Sequence, residues 1–159
     1  MNPTVYVETS VISYLTARRS RDIVISAHQQ LTRRWWRSRS SYRLFVSQIV
    51  RDEASAGDQA ADLRRLRALR GILALAITDQ ATRLSGELVR RGALPRKATV
   101  DAFHIGIAAA HQIEYLVTWN CKHIANASMR EAIERVCRDA GYEPPVICTP
   151  EELPSGSSR

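Results

Sequence analysis

Residues 98–110 read ATVDAFHIGIAAA, and their reading decides the rest of the chain. At about 100° per residue, Val100, Phe103, Ile105, Ile107, Ala108 and Ala109 leave almost no polar side, which predicts a helix buried nearly all round. Asp101 falls in its first turn. A carboxylate in an apolar surround costs on the order of several kcal/mol unless a cation or strong donors compensate it. The elements around this helix must therefore supply that compensation.

Outward from the helix, short apolar runs alternate with helical patterns. Tyr115–Thr118 reads as a strand, followed by an amphipathic helix over Met129–Ala140 that Gly141 stops, and by a strand at Val146–Cys148. On the N-terminal side, Pro95-Arg96-Lys97 is a loop, and before it a helix capped by Asp79 runs to Arg91 and ends at Gly92. Leu73–Ile77 is a strand. Residues 59–70 form a helix with Ala60, Leu63 and Leu66 inward and Arg64, Arg65, Arg67 and Arg70 outward. Leu44–Val46 is a strand with Ser47 as N-cap of the next helix. Residues 22–39 form a long helix whose stripe of Val24, His28, Leu31 and Trp35 faces the core, with His28 a satisfied buried histidine. Val5–Val7 is the first strand, and Glu8-Thr9-Ser10 turns it into a helix carrying Val11, Ile12 and Leu15. Five strands alternating with helices indicate an α/β, Rossmann-like three-layer domain, its mainly parallel sheet covered on both faces. One domain is expected over residues 1–153, with a disordered Ser/Gly-rich tail at 154–159.

The bulk numbers agree with a single unit: 159 residues, 45% hydrophobic. No run is long and apolar enough to span a membrane, and Met1–Val7 lacks the layout of a secretory signal, so the expected location is cytoplasmic. Cys121, Cys137 and Cys148 are odd in number and contain no CxxC pair, which argues for reduced thiols rather than disulfides or a zinc site. The net charge is +7, and 21 of the 23 basic residues are arginine, which suits phosphate contact. No GxxxxGK[ST] or GxGxxG is present, which removes the common nucleotide-binding classes.

In parallel sheets ligands bind outside the carboxyl ends of the strands. Glu8 follows the first strand and Asn120 the fourth, while Glu53 and Asp101 lie in early turns of helices, so all four reach one edge. Glu53 bisects the apolar face of its helix, whereas Asp52 lies off its edge. Such carboxylates repel one another unless a hard divalent cation is shared, which favours Mg²⁺ or Mn²⁺. The alternative is that each acid caps a helix or pairs with an arginine. A phosphoacceptor receiver fold also clusters acids, but Thr149-Pro150-Glu151 after the last strand offers no lysine.

Four segments carry a family resemblance: VYVETSVISYL at 5–15, VSQIVRDEASAGD at 46–58, ATVDAFHIGIAAAH at 98–111 and YLVTWNCKHIANA at 115–127. The chain resembles PIN domains, and in particular the VapC-type toxins of toxin-antitoxin pairs. The resemblance implies a five-stranded parallel sheet and an acidic pocket that holds Mg²⁺ or Mn²⁺ and cuts RNA, in a homodimer inhibited by a cognate antitoxin. By matched position Glu8, Glu53 and Asp101 are the first three acids of the family and Asn120 falls where the fourth usually is. Glu8 replaces the commoner aspartate, Ser10 a frequent asparagine, and Asn120 a carboxylate. A domain that holds RNA or protein without cutting is the alternative that Asn120 motivates.

On that resemblance Glu8 and Asp101 are direct metal ligands, and Glu53 binds through water or orients the nucleophile. Ser10 and Thr118 position phosphate or water, and Asn120 completes the shell. His123 touches RNA or makes a structural hydrogen bond. His104 is a partner of Asp101 or packs beside it. Arg33-Arg34-Trp35-Trp36-Arg37-Ser38-Arg39 and Tyr42-Arg43 interleave guanidinium and aromatic groups as single-strand binders do, although Trp35 belongs to the core and Trp36 reads better as an interface residue.

Overall fold

Val5, Tyr6 and Val7 have no solvent exposure, because the strand they form is the middle of the sheet. The computed structural model describes residues 1–153, and the expected tail lies outside them. In chain order the elements are β1 (Thr4–Val7), α1 (Thr9–Thr16), α2 (Ile23–Arg37), β2 (Arg43–Ser47), α3 (Gln48–Ala54) and α4 (Gln59–Ala68). They continue with β3 (Leu73–Leu75), α5 (Asp79–Arg90), α6 (Thr99–Ala110), β4 (Tyr115–Val117), α7 (Ala127–Asp139) and β5 (Val146–Cys148). The sheet order is β3-β2-β1-β4-β5 and every pairing is parallel. The chain builds outward from β1 to β3 on one side, then returns to place β4 on the other. The carboxyl ends of β1 and β4 therefore flank the point where the winding reverses, which is where such sheets open a crevice.

Most predicted elements are present within one or two residues. Ser47 caps α3 by accepting from the Val50 N–H, and Gly92 (φ +74°) and Gly141 (φ +89°) take the left-handed turns that stop α5 and α7. Other expectations need correction. The cap of α5 is Thr78, whose hydroxyl accepts the Ala81 N–H at 3.1 Å, and Asp79 sits inside the first turn, where its charge favours the helix N-terminus. Residues 96–98 form a short 3₁₀ turn instead of a loop. Val100 is exposed, so α6 is open to water at its start and closed beyond it.

The larger differences are rotations. On α4, Leu63 and Leu66 are exposed, and Arg64 and Arg65 are partly buried instead. Arg64 Nε donates to the carbonyl of Thr16 at 3.1 Å and Arg65 Nε to that of Ala54 at 2.7 Å. Those are the last residues of α1 and α3, whose terminal carbonyls lack helical partners. The arginine stems cover apolar surface while their heads supply the missing donors. On α2 the buried side chains are Gln29, Thr32 and Trp35, and Val24 is exposed. Gln29 turns inward because its amide donates to Arg18 O (2.9 Å) and accepts from the Ser20 N–H (3.1 Å), satisfying the loop before α2. His28 is held by stacking on Trp119 with ring centroids 4.1 Å apart, and its buried Nδ1 has no partner among the described residues. The three cysteines are free, and burial pushes the Cys137 and Cys148 thiols up to about 12.

The two helices that carry most of one face, α5 and α6, approach closely at Gly106. A Cβ there would lie 2.2 Å from Ser85 Oγ and 2.8 Å from the Ala81 carbonyl. Gly86 on α5 would meet nothing. Gly106→Ala is therefore expected to destabilise the fold by about 1–3 kcal/mol through overpacking, whereas Gly86→Ala stabilises it by about 1 kcal/mol through helix propensity. Urea unfolding of the two variants checks the opposite signs.

Candidate active site

Glu8 leaves β1 directly and becomes the N-cap of α1, its side chain accepting the Ser10 N–H at 3.0 Å. The same oxygen, Oε2, accepts the Ser10 hydroxyl and, at 2.7 Å, the Thr118 hydroxyl from just beyond β4. Ser10 Oγ in turn accepts the Trp119 N–H and Thr118 Oγ1 the Asn120 N–H, at 2.8 and 2.9 Å. Glu8 is only 5% exposed, and its other oxygen, Oε1, has no protein partner among the described residues.

Glu53 is reached through a different chain of groups. It stands on the last turn of α3, and its Oε1 accepts the Thr9 hydroxyl at 2.7 Å and lies 2.8 Å from His104 Nε2. His104, on α6, has no exposure. Its Nδ1 lies 2.7 Å from the Tyr6 hydroxyl, which is 2.8 Å from Ser47 Oγ. Ser47 is the cap that also accepts the Val50 N–H. Burial, offset only in part by the Ser47 hydrogen bond, pushes the Tyr6 phenol well above the usual tyrosine range, so it keeps its proton. With a neutral imidazole the protons run one way, from Ser47 to Tyr6 to His104 to Glu53. His104 Nε2 then carries its hydrogen toward Glu53 and offers no lone pair. Burial pushes the Glu53 carboxyl up, but the hydrogen bonds from His104 and the Thr9 hydroxyl hold it below the usual glutamate range. Its Oε2 is without a partner.

Ligand atoms of Glu8, Glu53 and His104 all lie within 4.8 Å of one another. Asp101 is not in this group. Both its oxygens are taken: Oδ1 accepts from the Asn120 amide at 3.0 Å and Oδ2 lies 2.9 Å from His123 Nδ1. Asn120 Oδ1 accepts the His123 N–H at 3.1 Å, which closes a three-residue cluster. The compensation that Asp101 requires thus comes from an amide and an imidazole of the turn after β4. Ser10 and Thr118 adjoin Glu8, and their hydroxyl protons are spent on it. The sequence assigns no site role to Tyr6 or Thr9 and shows Ser47 only as a cap, and a tyrosine inside an otherwise aliphatic strand is the available signal.

Two carboxylates that approach within 4.8 Å, each with one oxygen free and neither paired to an arginine or lysine, fit a hard divalent cation in their donor chemistry. The family model of the PIN domain matches residues 5–126. The chain belongs to the PIN domain family. No curated protein and no solved structure gave a significant match. PIN domains are typically divalent-metal-dependent nucleases, and in this PIN domain the two-glutamate pocket lies at the carboxyl edge of the sheet, where β1 and β4 part.

Tyr6→Phe leaves the Ser47 hydroxyl and His104 Nδ1 without their shared partner in a buried place, and is expected to cost about 1–3 kcal/mol, read by urea unfolding. The pH behaviour of Glu53 has a definite sign. Its folded pKa lies below its unfolded value, so its contribution is fully present above the ordinary glutamate range and is lost as pH falls through the lower folded value. Stability measured downward through that range should fall less steeply in Glu53→Gln than in the wild type.

Proposed function

We propose that this PIN domain, taken as one unit over residues 1–153, is a VapC-type toxin: a cytoplasmic, homodimeric endoribonuclease that hydrolyses RNA phosphodiesters with Mg²⁺ or Mn²⁺ and is inhibited by a cognate antitoxin. The observation that carries the nuclease part is the convergence of Glu8 and Glu53 at the switch point of the sheet, each with an unshared oxygen. The toxin part is supported by the four motif segments and their order.

A divalent cation in this pocket would supply Lewis-acid polarisation of the scissile phosphate and a water acidic enough to attack it. Glu8 would hold it through Oε1, since Oε2 is locked by Ser10 and Thr118. Glu53 keeps Oε2 without a partner and would serve either the cation or the attacking water. His104 acts through Glu53, fixing its direction, because its Nε2 proton is committed there. Asp101 has both oxygens held outside the two-glutamate group, so as a ligand it would contribute only a remaining lone pair of each. Asn120 and His123 position Asp101, and Asn120 Oδ1, which accepts the His123 N–H, would likewise have one lone pair left for a cation. The neutral amide of Asn120 in place of a fourth carboxylate is what motivates the second reading, a PIN domain that binds RNA without cutting it.

Purified protein is expected to cleave RNA with Mg²⁺ or Mn²⁺ and to stop in EDTA. Glu8→Gln and Asp101→Asn should each lower the rate by about a hundredfold or more. Undiminished cleavage by both variants would reject the site, and RNA binding by a wild type that never cleaves would establish the second reading. Co-purification with the product of the neighbouring reading frame, with cleavage suppressed in the complex, tests the toxin role.

A further inference from the structure

The arginines are unevenly placed. Residues 18–70 hold 13 of the 21 arginines against five carboxylates, while residues 71–153 carry nine basic residues against ten acidic ones. The ion pairs follow the second segment: Arg90, Arg91, Arg135 and Arg138 are all paired. Of the earlier group only Arg65 has a carboxylate partner among the described residues. Like charges gathered without counter-charges repel one another, and a fold gains nothing from the arrangement unless something anionic arrives.

The surface there has shape as well as charge. A cleft of about 760 Å³ along α2 is lined by Arg33, Arg34 and Arg37 and by no carboxylate. A second, of about 500 Å³, opens where the ends of α2 and α4 meet the starts of β2 and β3, and is lined by Trp36, Arg39, Arg67 and Arg70, again with no acid. Trp36 and Arg37 are consecutive on α2 and line one cleft each, so the two adjoin. Arg39 lies over the Trp36 ring at 5.0 Å and is anchored by donating to the Trp36 carbonyl at 2.8 Å. The side chains of Arg34, Arg37, Arg67 and Arg70 make no hydrogen bond or ion pair among the described residues. Since β2 and β3 begin at this cleft and end at the other edge of the sheet, it stands apart from the acidic pocket.

We propose that this face is a second contact for single-stranded nucleic acid, with the free guanidinium groups on successive phosphates and the layered Trp36–Arg39 pair against a base. Guanidinium binds phosphate in a fork and stacks on planar rings, and an indole adds a flat surface that every base can use. An acidic protein segment would satisfy the charge but has no use for that layered plane. The acidic pocket itself repels phosphate, so affinity for a polyanion has to come from elsewhere on the domain. The proposal deepens the nuclease reading by giving its substrate a second subsite, and rests on that reading for the class of polyanion.

The test is fluorescence anisotropy of a labelled short oligouridine in EDTA, at stepwise salt, so that cleavage and the cation play no part. Wild type should bind with a strong salt dependence. Arg67→Gln/Arg70→Gln should weaken binding about tenfold and reduce the slope of log affinity against log salt by about 0.7 per arginine. Trp36→Leu should weaken it several-fold with the slope unchanged. Polyglutamate at equal charge should not displace the RNA. Absence of binding, full binding by the double arginine variant, or displacement by polyglutamate, which marks an acidic-protein surface, overturns the proposal. Cleavage that survives such a result leaves the nuclease reading standing, and binding without cleavage under metal leaves this one standing.

Discussion

The Glu8 carboxylate is the constraint on which the rest of the site is built. It follows three strand residues that see no solvent and is itself almost wholly enclosed, in a place where an unpaired charge is expensive. Its donors come from two directions: the N-terminus of α1, which its own residue starts, and the hydroxyl of Thr118 beyond β4. The second donor exists only because β4 crosses back to lie beside β1. The winding of the sheet and the solvation of this one carboxylate are therefore the same fact, and a chain that placed β4 elsewhere would leave Glu8 with local donors alone. All the donors converge on one oxygen, so the enclosure is satisfied while the other oxygen remains available.

Three acids near this edge of the sheet are hydrogen-bonded in three different ways. Glu8 uses a helix N-terminus and two hydroxyls. Glu53 is held by a threonine and by an imidazole whose orientation is fixed from behind by Tyr6 and Ser47, so a core tyrosine on the central strand reaches the site through two hydrogen bonds. Asp101 is closed by an amide and a second imidazole. The consequence is an order of readiness. Glu8 and Glu53 each keep a free oxygen and repel each other, whereas Asp101 is at rest within its cluster. The pocket is poised to take a cation chiefly on the side of the two glutamates.

The sheet, its strand count and the edge that carries the acids were legible because strands read as runs of apolar residues and the ligand edge follows from winding. Glu53 was separable from Asp52 by its place on the helix wheel. What periodicity misread was which polar residues have a reason to be inside. Leu63 and Leu66 looked inward by residue type, yet the open carbonyls ending α1 and α3 attract Arg64 and Arg65 more strongly. Gln29 turns in for a loop backbone that no local pattern reveals. Ser47 was visible only as a cap, and its second bond to Tyr6 depends on a partner 41 residues away. A wheel weighs each side chain against water, and these positions are decided by particular unpaired groups elsewhere in the chain.

Charge gives the domain a polarity that its fold alone does not require. The α5 and α7 side neutralises itself with ion pairs, largely exposed and of small energetic value, and the α2 and α4 side has only Arg65–Asp62 among the described residues. A polyanion approaching the bare acidic edge meets repulsion, while the arginine face attracts it from a distance that salt shortens. A divalent cation held there would cancel the charge of the two glutamates and leave the arginine face unchanged. On the proposed reading, attraction and reaction would be carried by different parts of the surface, and only the second would depend on a metal.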